Sequence, residues 1–146
     1  MPGALVDTNC LIDLLLPESP WSAWSTAAVA AAADAGVIGI NPIIYSELGA
    51  GIATIEDIER AFPSKDFARL DLPWDAAFLA GQVHSRYRRD DGGVRDRTLP
   101  DFLIGAHATV DGLTLITRDL RRYRRHFPRL VLMAPDTHFV DLAPST

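Results

Sequence analysis

The sequence predicts an α/β fold, a short parallel sheet of four or five strands with helices packed on both faces, formed by one domain over residues 1–146. Three observations carry that expectation. Short apolar runs alternate with helix-length segments, the pattern of parallel strands joined by right-handed crossovers. Proline, glycine and Asx or threonine cap signals punctuate nearly every boundary. With 146 residues, 48% of them hydrophobic, the chain fits one domain with one substantial core.

Each element has its own local justification. Ala4 to Val6 is a short apolar strand, after which Asp7 or Thr8 can cap a helix from Cys10 to Leu16 that Pro17 and Pro20 end. Trp21 to Ala35 is alanine-rich and helical, Gly36 closes it, and Val37 to Ile40 is the next strand. Asn41-Pro42 supplies an N-cap and a first-turn proline for a helix reaching about Ala50. Thr54-x-x-Asp57 reads as a capping box for Ile55 to Phe62, stopped by Pro63, and Phe67 to Leu72 alternates as a strand. Trp74 to Arg89 is a long helix, followed by a polar, mobile loop from Asp90 to Arg97. Thr98 caps a helix from Pro100 to Asp111, Leu113 to Ile116 is a strand, Arg121 to His126 a short basic helix, and Leu130 to Met133 the last strand. No internal repeat is visible.

Composition narrows the function classes. A single cysteine, Cys10, excludes an internal disulfide framework and a cysteine-rich zinc site, and core packing is the role expected of it. No signal-peptide pattern opens the chain and no apolar run approaches the roughly 20 residues of a membrane span, so a soluble, cytoplasmic protein without membrane contact is expected. The net charge of −5 argues against bulk attraction to polyanions. Its distribution argues otherwise. Residues 1–75 carry three basic and eleven acidic side chains, whereas residues 76–146 carry eleven basic and eight acidic ones. Every basic residue but Lys65 is arginine, the side chain suited to bidentate phosphate contact. A local phosphate-binding surface is therefore open to the second half.

Four acids stand near strand-to-helix junctions: Asp7, Glu47, Asp101 and Asp119. Each has an ordinary reading beside the functional one. Asp7 and Asp119 can be N-caps, Asp101 can close a capping box with Thr98, and Glu47 can be a solvated helix glutamate. Thr8 and Asn9 can cap or can hydrogen-bond a carboxylate or phosphate. Gly105, four residues after Asp101, leaves room for the close approach of a substrate. If the acids converge, they share the C-terminal edge of a parallel sheet, where ligands of such folds bind. Clustered carboxylates repel, and hard cations such as Mg²⁺ or Mn²⁺ relieve that repulsion through oxygen ligands. The chemistry implied is metal-assisted phosphodiester hydrolysis.

At these residues the chain resembles the PIN-domain nucleases, and among them the VapC toxins of toxin–antitoxin pairs. The matching segments are LVDTNCLIDLL, NPIIYSELGAGI, LPDFLIGAHATVDGLTLITRDLRRYRRHFP and LVLMAP, nearly the whole domain. The resemblance implies a PIN-like three-layer α/β/α sandwich, with Asp7, Glu47, Asp101 and Asp119 as catalytic metal-site acids supported by Asn9 and Thr117. It implies a ribonuclease dependent on Mg²⁺ or Mn²⁺ in which water, not a side chain, attacks phosphorus. It further implies a VapB-type antitoxin as partner, a homodimer, and operator DNA bound only through the antitoxin complex.

Other residues receive plainer expectations. Arg121, Arg122, Arg124 and Arg125 are a solvated face or, beside Asp119, RNA-binding side chains that contact phosphate. Tyr123 and Phe127 pack in the core or stack bases; Trp21, Trp24 and Trp74 pack or contact a second copy. The histidines His84, His107, His126 and His138 suit no zinc site. Two other function classes compete: a receiver-like phosphoacceptor domain, for which Lys65 is the lone candidate lysine and is poorly placed, and a non-catalytic RNA-binding module.

Overall fold

The computed structural model describes residues 3–90 and 98–138. The loop expected from Asp90 to Arg97 lies outside them except for Asp90, which ends a helix. The chain runs β1 (Ala4–Val6), α1 (Thr8–Leu15), α2 (Ser22–Ala35), β2 (Ile38–Ile40), α3 (Pro42–Gly51), α4 (Ile55–Ala61), β3 (Ala68–Arg69), α5 (Trp74–Asp90), α6 (Leu99–Val110), β4 (Thr114–Ile116), α7 (Leu120–Arg124) and β5 (Val131–Met133). All strand pairs are parallel, in the order β3-β2-β1-β4-β5. The α/β expectation therefore holds, with five strands. The chain steps one way from β1 to β3 and returns to β4 and β5 on the other side of β1. With α2 packed on β2 and α6 on β4, the right-handed rule for parallel crossovers assigns these helices to opposite faces, the three layers expected.

The topology places the site before any side chain is considered. The strand order reverses between β1 and β4, and the C-terminal ends of these neighbours open the crevice where ligands of parallel sheets bind. Central strands buried on both faces read as continuous apolar runs, and β1 and β2 are buried throughout. Their core includes Leu5, Ile40, Leu115 and Ile116, all fully buried.

Local chemistry sets the boundaries. Asn41 Oδ1 accepts from Ile44 N at 2.9 Å, and Thr54 Oγ1 accepts from Asp57 N at 3.1 Å, so both cap signals operate. Gly112 turns the chain after α6 at φ 65, a left-handed conformation that costs glycine little. The sharpest departure from expectation is β3, two residues rather than the run Phe67 to Leu72. It is an edge strand paired on one side to the three-residue β2, so alternation beyond Leu70 has no partner. Likewise α7 is only Leu120–Arg124, shifted one residue toward Asp119, which caps it.

Gly105 has a different role from the one expected. A Cβ there would lie 2.5 Å from the Phe127 ring, so the glycine allows α6 to pack on that buried aromatic rather than admitting substrate. Gly105→Ala is expected to overpack this contact and destabilise by about 1–3 kcal/mol, despite the helix propensity it adds. Denaturant midpoints of the two proteins check this; an unchanged midpoint would show that the ring moves freely.

His107 ties α6 to the start of α3. With Asn41 Oδ1 engaged by Ile44, the Asn41 amide N–H faces His107 Nδ1 at 3.0 Å, which assigns the ring proton to Nε2, 3.1 Å from Asp111 Oδ2. Burial lowers the His107 pKa, and Asp111 opposes the shift. The folded state thus disfavours imidazolium, so stability from His107 is complete above the ordinary range near 6.5 and is lost as pH falls below it. Melting temperatures followed from about pH 7.5 to pH 5 are expected to fall more steeply for the wild type than for His107→Gln.

The cysteine and tryptophans sort by burial. Cys10 is buried, and its thiol is pushed up to about 12, first by burial. Trp24 packs in the core and donates to the His138 carbonyl at 2.9 Å, whereas Trp21 and Trp74 are exposed. Among the described residues no helix is long and apolar enough to cross a membrane.

Candidate active site

Asp7 is the first side chain beyond β1 and the N-cap of α1, so the expected cap and the expected site residue are the same group. Its Oδ1 accepts from Thr8 N at 2.8 Å. Its Oδ2 accepts from Thr117 Oγ1 at 2.7 Å, Tyr123 OH at 3.0 Å and, more distantly, Asn9 Nδ2 at 3.5 Å. The residue is only 2% exposed. Burial raises its pKa, and the hydrogen bonds from Thr117, Tyr123 and Thr8, with the Arg122 charge, pull against the rise. This carboxylate is buried and fixed in direction.

Thr117 and Asn9 both hydrogen-bond to Asp7. Thr117 follows β4, donates to Asp7, and accepts from Asp119 N at 3.1 Å and Asn9 Nδ2 at 3.4 Å. Asn9 Oδ1 accepts from Arg118 N at 3.3 Å. The turn after β4 is thereby tied to the first turn of α1, across the point where the strand order reverses.

Glu47 reaches the same edge from α3. It is half-buried and accepts from Thr8 Oγ1 at 2.7 Å, so the solvated reading fails. Burial raises its pKa, Thr8 lowers it, the nearby charges of Asp7 and Asp101 raise it further, and Arg122 lowers it. Such mutual influence requires the three acids to face one region.

Asp101 and Asp119 also cap and converge at once. Thr98 N and Thr98 Oγ1 each donate to Asp101 Oδ2 at 3.1 Å in the capping box that starts α6. Asp119 Oδ1 accepts from Arg122 N at 3.1 Å. Between the two acids lies the Arg122 guanidinium, with Nη1 3.3 Å from Asp101 Oδ1 and Nε 3.2 Å from Asp119 Oδ2. Burial lowers the Arg122 pKa, but Asp101, with Asp119 and Asp7, outweighs it and the net shift is upward. Arg122, expected as a solvated or phosphate-contacting side chain, is partly exposed and is held between Asp101 and Asp119.

The other arginines divide. Arg121 and Arg124 are exposed on α7, and Arg125 lines a cleft against α5. Tyr123 and Phe127 are buried, which settles them as core residues. Sequence reasoning gave no site role to the Tyr123 hydroxyl, since its partner Asp7 lies 116 residues away. It likewise overlooked Asp13, a buried acid that accepts from Ser25 Oγ at 2.6 Å and Ser19 Oγ at 3.0 Å and pairs with Arg118 Nε at 2.9 Å. That pair anchors the loop whose backbone holds Asn9.

The oxygen donors of Asp7, Glu47, Asp101 and Asp119 match the preference of a hard divalent cation. Among the described residues no three His, Cys, Asp or Glu side chains are drawn together tightly enough to cage an ion by themselves. The acids are instead spread around Arg122, and Asp7 points one oxygen toward Thr117 and Tyr123.

A five-stranded parallel sheet with acids gathered at its reversal point defines a class, and the comparison with known families agrees. The family model described as PIN domain matches residues 4–128, and the chain belongs to that family. Solved structures share its fold. The VapBC2 complex from Rickettsia felis bound to a DNA fragment from its promoter aligns at a TM-score of 0.69 and 18% identity, over 90% of this chain and 97% of that one. FitAcB from Neisseria gonorrhoeae aligns at 0.66 and 22%, over 92% and 99%. DNA-bound VapBC from Salmonella typhimurium aligns at 0.64 and 22%, over 92% and 98%. No curated protein matches the chain in sequence.

Proposed function

We propose that the chain is a VapC-type toxin, a ribonuclease dependent on Mg²⁺ or Mn²⁺ that hydrolyses RNA phosphodiester bonds. The observation that carries this reading is that Thr8 links Asp7 to Glu47 and Arg122 links Asp101 to Asp119, with Asp7 just beyond β1 and Asp119 just beyond β4, its neighbour in the sheet. Asp7, Asp101, Glu47 and Asp119 would hold the metal, which when bound supplies Lewis acidity toward phosphoryl oxygen and water. Thr117, Tyr123 and Thr8 keep the Asp7 carboxylate oriented and favour its charged form against burial. Thr8 does the same for Glu47. Arg122 offsets the repulsion among the acids and keeps Asp101 and Asp119 in place. No serine, cysteine or histidine nucleophile is needed at the crevice, consistent with attack by water.

The named neighbours support the partners. Complexes called VapBC, two of them DNA-bound, share the fold over most of both chains, which favours a VapB-type antitoxin and operator DNA reached through the antitoxin complex. The receiver-like alternative loses ground on Lys65, which lines a cavity with Gly36 and Val37 beside the N-terminal end of β2, at the opposite edge of the sheet. A non-catalytic binding module would not require four acids at the crevice.

Purified protein incubated with unstructured RNA is expected to cut it with Mg²⁺ or Mn²⁺ and to stop in EDTA, with cutting restored by excess metal. Cleavage indifferent to EDTA would sink the metal-dependent assignment, and binding without any cleavage would favour the binding module.

A further inference from the structure

We infer that the cleft between α5 and the segment joining α7 to β5 is a second contact for single-stranded RNA, gripping the backbone that flanks the cut; this rests on the ribonuclease reading above. The cleft encloses about 640 Å³ and, among the described residues, is lined by Arg86, Arg125 and Arg129 against one acid, Asp90. Arg86 comes from α5 and Arg129 from beyond α7, so the fold, not a run of charge in sequence, brings them together. Among the described residues Arg86 and Arg129 take part in no ion pair. This contrasts with Arg122, whose charge is already used by Asp101 and Asp119.

Tyr87 and Phe127 form the buried floor of the cleft, and both contact Phe102, the residue next to Asp101, at ring separations of 5.4 Å and 6.3 Å. Separated guanidinium groups along an open cleft suit a strand that repeats phosphates. An isolated phosphate would instead need donors converging on one point.

The test measures RNA binding by the full-length Asp101→Asn protein in EDTA, with and without Arg86→Ala and Arg129→Ala together. Labelled unstructured RNAs of about 20 and about 4 nucleotides are titrated at several salt concentrations, the longer one spanning both contacts. For the longer RNA, removing two phosphate contacts is expected to weaken binding about tenfold and to flatten the dependence of log affinity on log salt by about 1.4, while the shorter RNA is little affected. Arg86→Lys with Arg129→Lys is expected to retain most of the slope. An unchanged slope, or equal losses for both lengths, overturns the inference. So does retained RNA binding with loss of binding to a polyglutamate peptide, which would assign the cleft to an acidic protein segment. The RNA recovered from each titration is run on a gel: continued cutting in EDTA overturns the metal-dependent assignment to the four acids, whereas an unchanged slope overturns the cleft alone.

Discussion

The Asp7→Asn protein is expected to lose metal-dependent RNA cleavage by more than about a hundredfold while melting no lower than the wild type in EDTA. The activity loss follows from the position of the group. Removing a partner that merely orients a metal ligand costs about 10–100-fold, and Asp7 is the carboxylate that Thr117 and Tyr123 orient. The stability result follows from burial. Asp7 has a raised pKa chiefly because burial penalises its charge, so this group favours the folded state fully below the unfolded carboxylate pKa, and that contribution is lost as pH rises through the higher folded value. At neutral pH the metal-free protein carries the charge at a cost. An amide removes it, still accepts from Thr8 N, and lets the Thr117 and Tyr123 hydroxyls rotate to accept from its N–H. A variant that is both inactive and strongly destabilised would contradict this account, because the lost activity could then come from unfolding. Asp101→Asn is expected to show a similar loss of cleavage.

The second large effect is expected at Tyr123, where two substitutions separate packing from polarity. Its side chain is fully buried and donates to Asp7 Oδ2. Tyr123→Ala leaves a cavity in the core and is expected to cost about 3–5 kcal/mol, as large aromatic truncations do. Tyr123→Phe keeps the ring and is expected to cost about 1.5–3 kcal/mol, the value of a hydrogen bond to a charged group. Its activity is expected to drop about 10–100-fold, because Asp7 loses a donor that favours its charged form. Burial and Asp7 both hold the Tyr123 phenol well above its usual pKa, so it remains a donor across the working pH range. Urea midpoints and initial cleavage rates on the same preparations distinguish the effects. If the phenylalanine variant cleaves at the wild-type rate, the hydroxyl has no positioning role.

These predictions depend on contacts that differ in how far the sequence announces them. The caps were legible, since Asn41 to Ile44, Thr54 to Asp57 and Thr98 to Asp101 each span three residues and use a signal the backbone reads locally. The buried strands β1 and β2 were legible because strands covered on both faces must be apolar throughout. The acids were visible one by one, but Asp7, Asp101 and Asp119 each had a sufficient explanation as a cap, and each does cap a helix. Glu47 had nothing in its own segment to distinguish it from a solvated glutamate. Its hydrogen bond to Thr8 crosses 39 residues, a relation no local pattern encodes.

By itself, the sequence determined the α/β class with a parallel sheet and that carboxylates stand where strands give way to helices, because periodicity, capping and burial act over a few neighbouring residues. Only the tertiary structure decided that β1 lies between β2 and β4, which gathers those carboxylates at one crevice, and that β3 shrinks to a short edge. It also turned Arg122 from the basic surface toward Asp101 and Asp119, set Gly105 against Phe127, and aimed the Tyr123 hydroxyl at Asp7. The reason is common to all of these. Charge compensation and close packing depend on which distant segments become neighbours, and strand order settles that.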